Sequence, residues 1–346
     1  MAISRPRYLV IRLSSLGDIV HALPAVAALG RSFPQAEIDW LIEKRYASLL
    51  DGNPHVHRVI PVDTLSWRGS FPRPALLAEL VKTLLGLRAN AYDVVVDFQG
   101  LWKTAMLALL AGASSRVGLA EPWLREPSAA VVYTERVSAA GRKHVVEESL
   151  VLVERLGARV GLWEFPLPYT PKDDHYVDEQ LARLGAREFM IINPGGGWKA
   201  KRWAPENYAM LLRQLEARFP STFLLTGSPE EKEVIAGILR SAGTKRALYF
   251  PSTLVQFIAL ARRAQLFLGG DTGPLHVAAA VGTPLVAIHG PTDPARNGPF
   301  SNADIALYNQ APVNHSRRDR SAAYIQGITV ECVGAAIEQR LARVHA

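Results

Sequence analysis

The stretch Leu266-Phe-Leu-Gly-Gly-Asp271-Thr272-Gly273-Pro274-Leu275-His276-Val277-Ala278-Ala279-Ala280 starts apolar, breaks at two glycines and resumes with alanine-rich helical spacing. It reads as a buried strand over Gln265 to Gly269, a polar turn, and a helix from Pro274 to Val281. Proline stands where a first helical residue is expected. The free N–H groups and positive dipole end of such a helix make an anion site. Thr272 and Gly273 lie where a diphosphate approaches the backbone closely, and Asp271 faces the hydroxyls of an adjoining sugar. A plainer reading also fits, in which Asp271 or Thr272 only caps the helix.

The same strand–turn–helix alternation runs outward in both directions. Downstream, Pro284 to His289 is a further strand. Upstream come strands at Phe189 to Ile192 and Thr222 to Thr226, with helices at Asn207 to Arg218, Glu230 to Ser241 and Val255 to Arg263. The first half carries strands at Tyr8 to Leu13, Glu37 to Ile42, Val59 to Val62 and Tyr92 to Asp97, with helices at Ile19 to Val26 and Pro74 to Leu87. Apolar strands alternating with helices indicate parallel sheets buried on both faces. Between the halves, Glu164-Phe-Pro-Leu-Pro-Tyr-Thr-Pro-Lys172 holds three prolines and reads as an extended linker. The expected organisation is a Rossmann-like domain at 1–163, a linker at 164–173, a second Rossmann-like domain at 174–327 and a C-terminal helix at 328–346. Ligands of such doubly wound sheets bind at the carboxyl ends of the strands, here facing a cleft between the domains.

Composition narrows the partners. The 346 residues include 39 Lys and Arg against 32 Asp and Glu, a net charge of +7, which favours anionic ligands. No run of like charges forms a nucleic-acid arm. Cys332 is the single cysteine, so no intrachain disulfide or cysteine-rich metal site forms, and a buried structural thiol is expected. No stretch is apolar enough to suggest a membrane span. The expectation is a cytoplasmic monomer with at most peripheral contact at the inner face of the inner membrane.

Two further segments carry chemistry. Asn193-Pro194-Gly195-Gly196-Gly197-Trp198-Lys199-Ala200-Lys201-Arg202 places glycines after a strand and then three cations within four positions. This suits a metal-free phosphate clamp that offsets charge on a departing diphosphate. It matches neither a P-loop nor a dinucleotide fingerprint. In Ser14-Ser15-Leu16-Gly17-Asp18, a carboxylate sits at a strand-to-helix turn, where it either removes a proton from an attacking hydroxyl or serves the helix dipole. Histidines 21, 276 and 289 lack metal-ligand spacing, and Trp40, Trp163 and Trp203 read as packing residues.

Together these segments resemble glycosyltransferase family 9, of the GT-B fold, whose members include the ADP-heptose:lipopolysaccharide heptosyltransferases. Asp97-Phe-Gln-Gly-Leu-Trp-Lys103-Thr104, Arg125-Glu126-Pro127, Lys143-His144 and Gly290-Pro-Thr-Asp-Pro294 are most similar to the members that add the first heptose to Kdo-lipid A (heptosyltransferase I). The resemblance implies an inverting, metal-independent transfer without a cofactor, with ADP-heptose as donor and an anionic glycolipid as acceptor. It implies Asp18 as general base and Lys201 on donor phosphate. Asp271 falls on the donor sugar, Thr272, Gly273 and Leu275 in the phosphate turn, and His276 on the family histidine. Glu231, with Glu230 as its neighbouring alternative, matches the acid on the nucleotide ribose. Gly17, Arg68, Lys103, Arg125 and Lys143 belong to the acceptor side. Gly196 and Gly197 replace a family hydroxyl pair, so one set of phosphate contacts must come from backbone or be missing. Family architecture also has the C-terminal helix returning to the N-terminal domain. Competing classes are a related transferase using another nucleotide-sugar or a later core acceptor, a GT-B nucleotide-sugar epimerase, and a non-catalytic nucleotide-sugar binder.

Overall fold

The computed structural model describes residues 5–64, 66, 74–196, 201–309, 325 and 327–343. The chain divides into two compact units, Met1–Pro168 and Tyr169–Ala346.

Unit 1 runs β1 (Arg7–Ile11), α1 (Leu16–Ser32), β2 (Glu37–Glu43), β3 (Arg58–Val62), α2 (Pro74–Ala89), β4 (Val94–Asp97), α3 (Trp102–Leu110), β5 (Ser115–Leu119), β6 (Glu135–Val137) and α4 (Val145–Glu154). Among the described residues its strands form one six-stranded sheet in the order β3-β2-β1-β4-β5-β6, with parallel pairing throughout. Leu9, Val10 and Ile11 of the central strand are fully buried, as expected of a strand covered on both faces. Pro61 is tolerated because β3 is an edge strand. Helix α1 is buried almost all round from Gly17 to Leu29, which its near-continuous apolar sequence permits.

Unit 2 runs α5 (Pro171–Leu184), β7 (Phe189–Asn193), α6 (Pro205–Arg218), β8 (Thr222–Leu225), α7 (Lys232–Ala242), β9 (Ala247–Tyr249), α8 (Leu254–Ala261), β10 (Leu266–Gly270), α9 (Gly273–Ala280), β11 (Leu285–His289), α10 (Pro294–Asn297), β12 (Ile305–Tyr308) and α11 (Val330–Ala342). Its described strands form a second parallel sheet, β12-β11-β10-β7-β8-β9. Numbered within each unit, both sheets have the order 3-2-1-4-5-6, with a switch point between the first and fourth strands. In unit 1 that point lies between β1 and β4, and in unit 2 between β7 and β10.

Three expectations need correcting. The tail helix α11 packs within unit 2 instead of returning to the first domain. Val330, Val333, Ala336 and Ile337 are buried with Leu211, Leu215 and Val286. Arg340 ties the helix to Asp304 at 2.7 Å. The same helical phase points Cys332 outward, so the thiol is exposed, not buried. Pro171, read as linker, opens α5. Thr170 Oγ1 accepts the Asp173 N–H at 3.3 Å and Asp173 accepts the Thr170 N–H at 2.9 Å, a reciprocal cap, while Gly185 ends the helix at φ 64°. Residues Ile305–Tyr308, to which no strand was assigned from the sequence, form an edge strand of this sheet.

Candidate functional site

Asp18 is the third residue of α1, one helical turn beyond the cap Ser15. Its Oδ2 accepts the Ser15 N–H at 2.9 Å and the Ser15 hydroxyl at 2.7 Å. Its Oδ1 meets the Arg12 guanidinium at 2.8 Å, and the side chain stays 34% exposed. The carboxylate thus caps the first turn of α1 while remaining partly exposed. Desolvation opposes ionisation, but Arg12, both Ser15 donors and His21 outweigh it and hold the carboxyl far below its ordinary range. Such a group is always ionised near neutral pH and intrinsically a weak base.

The neighbouring strand β4 supplies the frame for this loop. Asp97 accepts the Gln99 and Gly100 N–H groups at 2.9 and 3.2 Å, and the Tyr133 hydroxyl at 2.8 Å. Burial, against these hydrogen bonds, raises the Asp97 carboxyl above its usual value. The Gln99 side chain then accepts the Leu13 N–H at 2.8 Å, joining the β4 loop to the β1 loop. Arg12 also donates to the Phe98 carbonyl. Gly118 has to be glycine for this arrangement, because a Cβ there would sit 2.4 Å from the Tyr133 ring.

The acceptor-side candidates fall on connections leaving the carboxyl ends of different strands of this sheet. Gly17 is buried in the first turn of α1. Lys103, in the first turn of α3 beyond β4, donates to Thr64 Oγ1 at 3.2 Å. Arg125 follows β5 and Lys143 follows β6, and both are exposed. Arg68 lies outside the described residues.

In unit 2 the β10–α9 turn is the hub. Asp271 is 4% exposed, and protein groups meet both of its carboxylate oxygens. Oδ2 takes Lys201 Nζ at 2.6 Å and the Thr292 hydroxyl at 2.6 Å, while Oδ1 faces His276 Nε2 at 3.1 Å. Lys201 Nζ also reaches the Asp271 carbonyl at 3.2 Å. Desolvation is the largest influence on Asp271, but the His276 hydrogen bond, Lys201 and His289 overcome it and hold the carboxyl well below its ordinary range. Behind Thr292 stands His289, fully buried, with Nδ1 3.5 Å from the Thr292 hydroxyl. Burial, against the attraction of Asp271 and with repulsion from His276 and Lys201, pushes His289 down to about 4, so its imidazole is neutral.

Helix α9 begins at Gly273, with Pro274 and Leu275 completing its first turn. The Thr272 hydroxyl oxygen beside it is buried, with no hydrogen-bond partner among the described residues. Across the switch point, Gly196 N–H donates to Glu231 Oε1 at 3.2 Å, and Glu231 Oε2 accepts the Ser228 N–H at 2.8 Å. Glu231 thus points into the glycine turn, whereas Glu230 is fully exposed. A Cβ on Gly195 would lie 2.3 Å from Glu231 Oε1, and one on Gly270 would lie 3.1 Å from the Lys201 carbonyl oxygen. Both glycines permit close approach of these segments. Gly197 lies outside the described residues.

Unit 2 therefore brings Lys201, Asp271, Thr272 and His276 together at the β7/β10 switch point, with Glu231 on the adjoining glycine turn. The sequence reading assigned no role to Thr292 or His289. The only available signal was that Gly290-Pro-Thr-Asp-Pro294 follows a buried strand. Among the described residues no group of three or more His, Cys, Asp or Glu is placed to hold a metal ion. None of the described helices is long and apolar enough to cross a membrane.

Two sheets of this order, each with its polar cluster at the carboxyl ends beside the switch point, define a GT-B type α/β protein. The solved E. coli heptosyltransferase WaaC with ADP-2-deoxy-2-fluoro heptose shares the fold at TM-score 0.78 and 26% identity, with 96% of this chain and 99% of that one covered. The family model of glycosyltransferase family 9 (heptosyltransferase) matches residues 80–324, and the chain belongs to that family. It is 31% identical to lipopolysaccharide heptosyltransferase 1 of Pseudomonas aeruginosa, over 88% of this chain and 84% of the relative. It is 28% identical to lipopolysaccharide heptosyltransferase 3 of Escherichia coli, over 94% of this chain and 96% of the relative.

Proposed function

We propose that this chain is an inverting heptosyltransferase that moves a heptose from ADP-heptose to a Kdo-lipid A type acceptor in lipopolysaccharide inner-core synthesis. The observation that carries the reading is the Lys201–Asp271 pair set beside the first turn of α9. A cation, the positive end of the α9 dipole and a buried threonine hydroxyl with no partner among the described residues converge where a sugar diphosphate would leave. Lys201 has three donors, enough to keep one on Asp271 and turn others to phosphate. Asp18 takes the acceptor proton late, as the sugar carbon passes through an oxocarbenium-like state. No metal takes part in the transfer, and the contact with the membrane that carries the acceptor is peripheral.

The similarity to a heptosyltransferase 3 favours a second reading, in which the acceptor is a later core intermediate. One experiment separates the two. The purified protein is incubated with ADP-heptose, EDTA and either a Kdo-bearing lipid A or the same lipid already carrying heptose, and products are weighed by mass spectrometry. Product from the first acceptor alone supports the proposal, and product from the second alone moves the enzyme to a later step. Transfer that occurs only without EDTA overturns metal independence.

A further inference from the structure

The connection leaving β2 is the one strand end beside Asp18 to which the sequence reading gave no role. It is a 3-10 turn, Lys44–Leu50, that opens with Lys44-Arg45-Tyr46. The Arg45 guanidinium lies over the Tyr46 ring, 4.5 Å from its centroid. Stacking of this kind holds the planar cation in place and leaves its N–H edge open for a carboxylate or phosphate. Arg45 is exposed and makes no ion pair among the described residues. Tyr46 stands close to Leu16 at the start of α1, within electrostatic reach of Asp18 and Glu43. Burial raises the Tyr46 hydroxyl above its ordinary value, with Arg45 opposing and Glu43 and Asp18 adding. It therefore stays protonated, and its proton has no acceptor among the described residues.

We propose that Arg45 and Tyr46 form an acceptor subsite beside Asp18, Arg45 taking an anionic group of the acceptor and Tyr46 donating to a neighbouring sugar oxygen. The proposal rests on the acceptor half of the function above. Its physical content is register. A cation stacked on a ring, on the strand end beside the helix that carries the base, sets the distance between the acceptor's charge and its reacting hydroxyl. Lys103 adds positive charge from α3, beyond the neighbouring strand β4, and reaches Thr64, which in turn donates to Glu43 at the end of β2.

The test uses the full chain, the Arg45→Gln and Tyr46→Phe variants, and two acceptors: the anionic glycolipid and its analogue with the carboxylate reduced to an alcohol. Acceptor binding is measured by calorimetry without donor, and acceptor and donor KM are measured by transfer. Arg45→Gln should weaken binding of the anionic acceptor about tenfold, the loss of one charge-assisted contact. It should erase a similar part of the preference over the reduced acceptor and leave the donor KM unmoved. Tyr46→Phe keeps the stacked ring and should lower kcat for both acceptors more than it changes their binding. An Arg45→Gln protein that binds both acceptors as the wild type does refutes the subsite, as does wild-type protein that binds neither. If the wild type binds the acceptor and transfers nothing, the functional reading fails while the binding arm still decides the subsite.

Discussion

Lys201→Met should expose how much of unit 2 depends on one ion pair. Lys201 Nζ and Asp271 Oδ2 are 2.6 Å apart, with side chains 16% and 3% exposed, so water screens them little. Removing one partner of a buried pair commonly costs about 3–5 kcal/mol, because the other charge is stranded. Here His276 and Thr292 still donate to the carboxylate, which puts Lys201→Met at the lower end, about 3 kcal/mol. Asp271→Asn strands a lysine whose flexible stem can carry its charge toward solvent, and should cost about 1–2 kcal/mol. The double variant strands neither charge and should be at least about 1.5 kcal/mol more stable than the sum of the single effects implies.

The assay is native-state hydrogen exchange across a urea series, read on the Leu266–Gly270 and Gly273–Ala280 peptides, which reports local opening of this turn. Acidity gives an independent sign. The folded Asp271 carboxyl lies below its unfolded value, so its contribution is complete above the unfolded pKa, near ~3.9. It is lost as pH falls through the folded value. Lys201→Met brings the folded value up toward the unfolded one, so less stability should be lost on acidification below ~3.9 than in the wild type. Single effects that add within about 0.5 kcal/mol refute the coupling. An unchanged acid transition refutes the electrostatic cause.

Two further outcomes follow from the site. Asp18→Asn should lower kcat by about 10²–10⁴ while α1 keeps a capping side chain. Arg12→Gln, which removes the guanidinium 2.8 Å from Asp18, should draw an acid limb toward the measurable part of the kcat pH profile. Wild-type turnover in the first, or an unshifted profile in the second, rules out Asp18 as the base. Gly195→Ala pushes a Cβ against the end of the flexible Glu231 side chain. It should therefore raise donor KM several-fold with a Tm change of no more than ~3 °C, roughly 1 kcal/mol in a unit this size. A large loss of stability with unchanged donor KM means that the glycine turn is scaffold only.

What could be read without coordinates was whatever is local in sequence. The Leu266–Ala280 stretch announces its strand, turn and helix because burial on both faces demands an unbroken apolar run and the turn demands glycine. The placing of Asp18 in the first turn of a helix is equally local, as is the proline-rich segment after Glu164. Short outer strands such as Glu135–Val137 and Ala247–Tyr249 were not legible, since three residues carry no periodicity. The outward face of Cys332 followed from a helical phase that only packing reveals.

The sequence by itself determined the types of the longer elements and the two-sheet class, and marked Asp18, Lys201 and Asp271 as charged residues at strand-to-helix turns, because period and residue type act within a few positions. Tertiary structure alone decided who meets whom. Lys201 and Asp271 are 70 residues apart in the chain, and Thr292 becomes a partner of that carboxylate, with His289 behind it, only because β11 is laid beside β10. Tyr46 reaches the helix of Asp18 only because β2 lies beside β1. Parallel pairing places every strand's exit at one end of its sheet, and that register, invisible in any single segment, assembles the site.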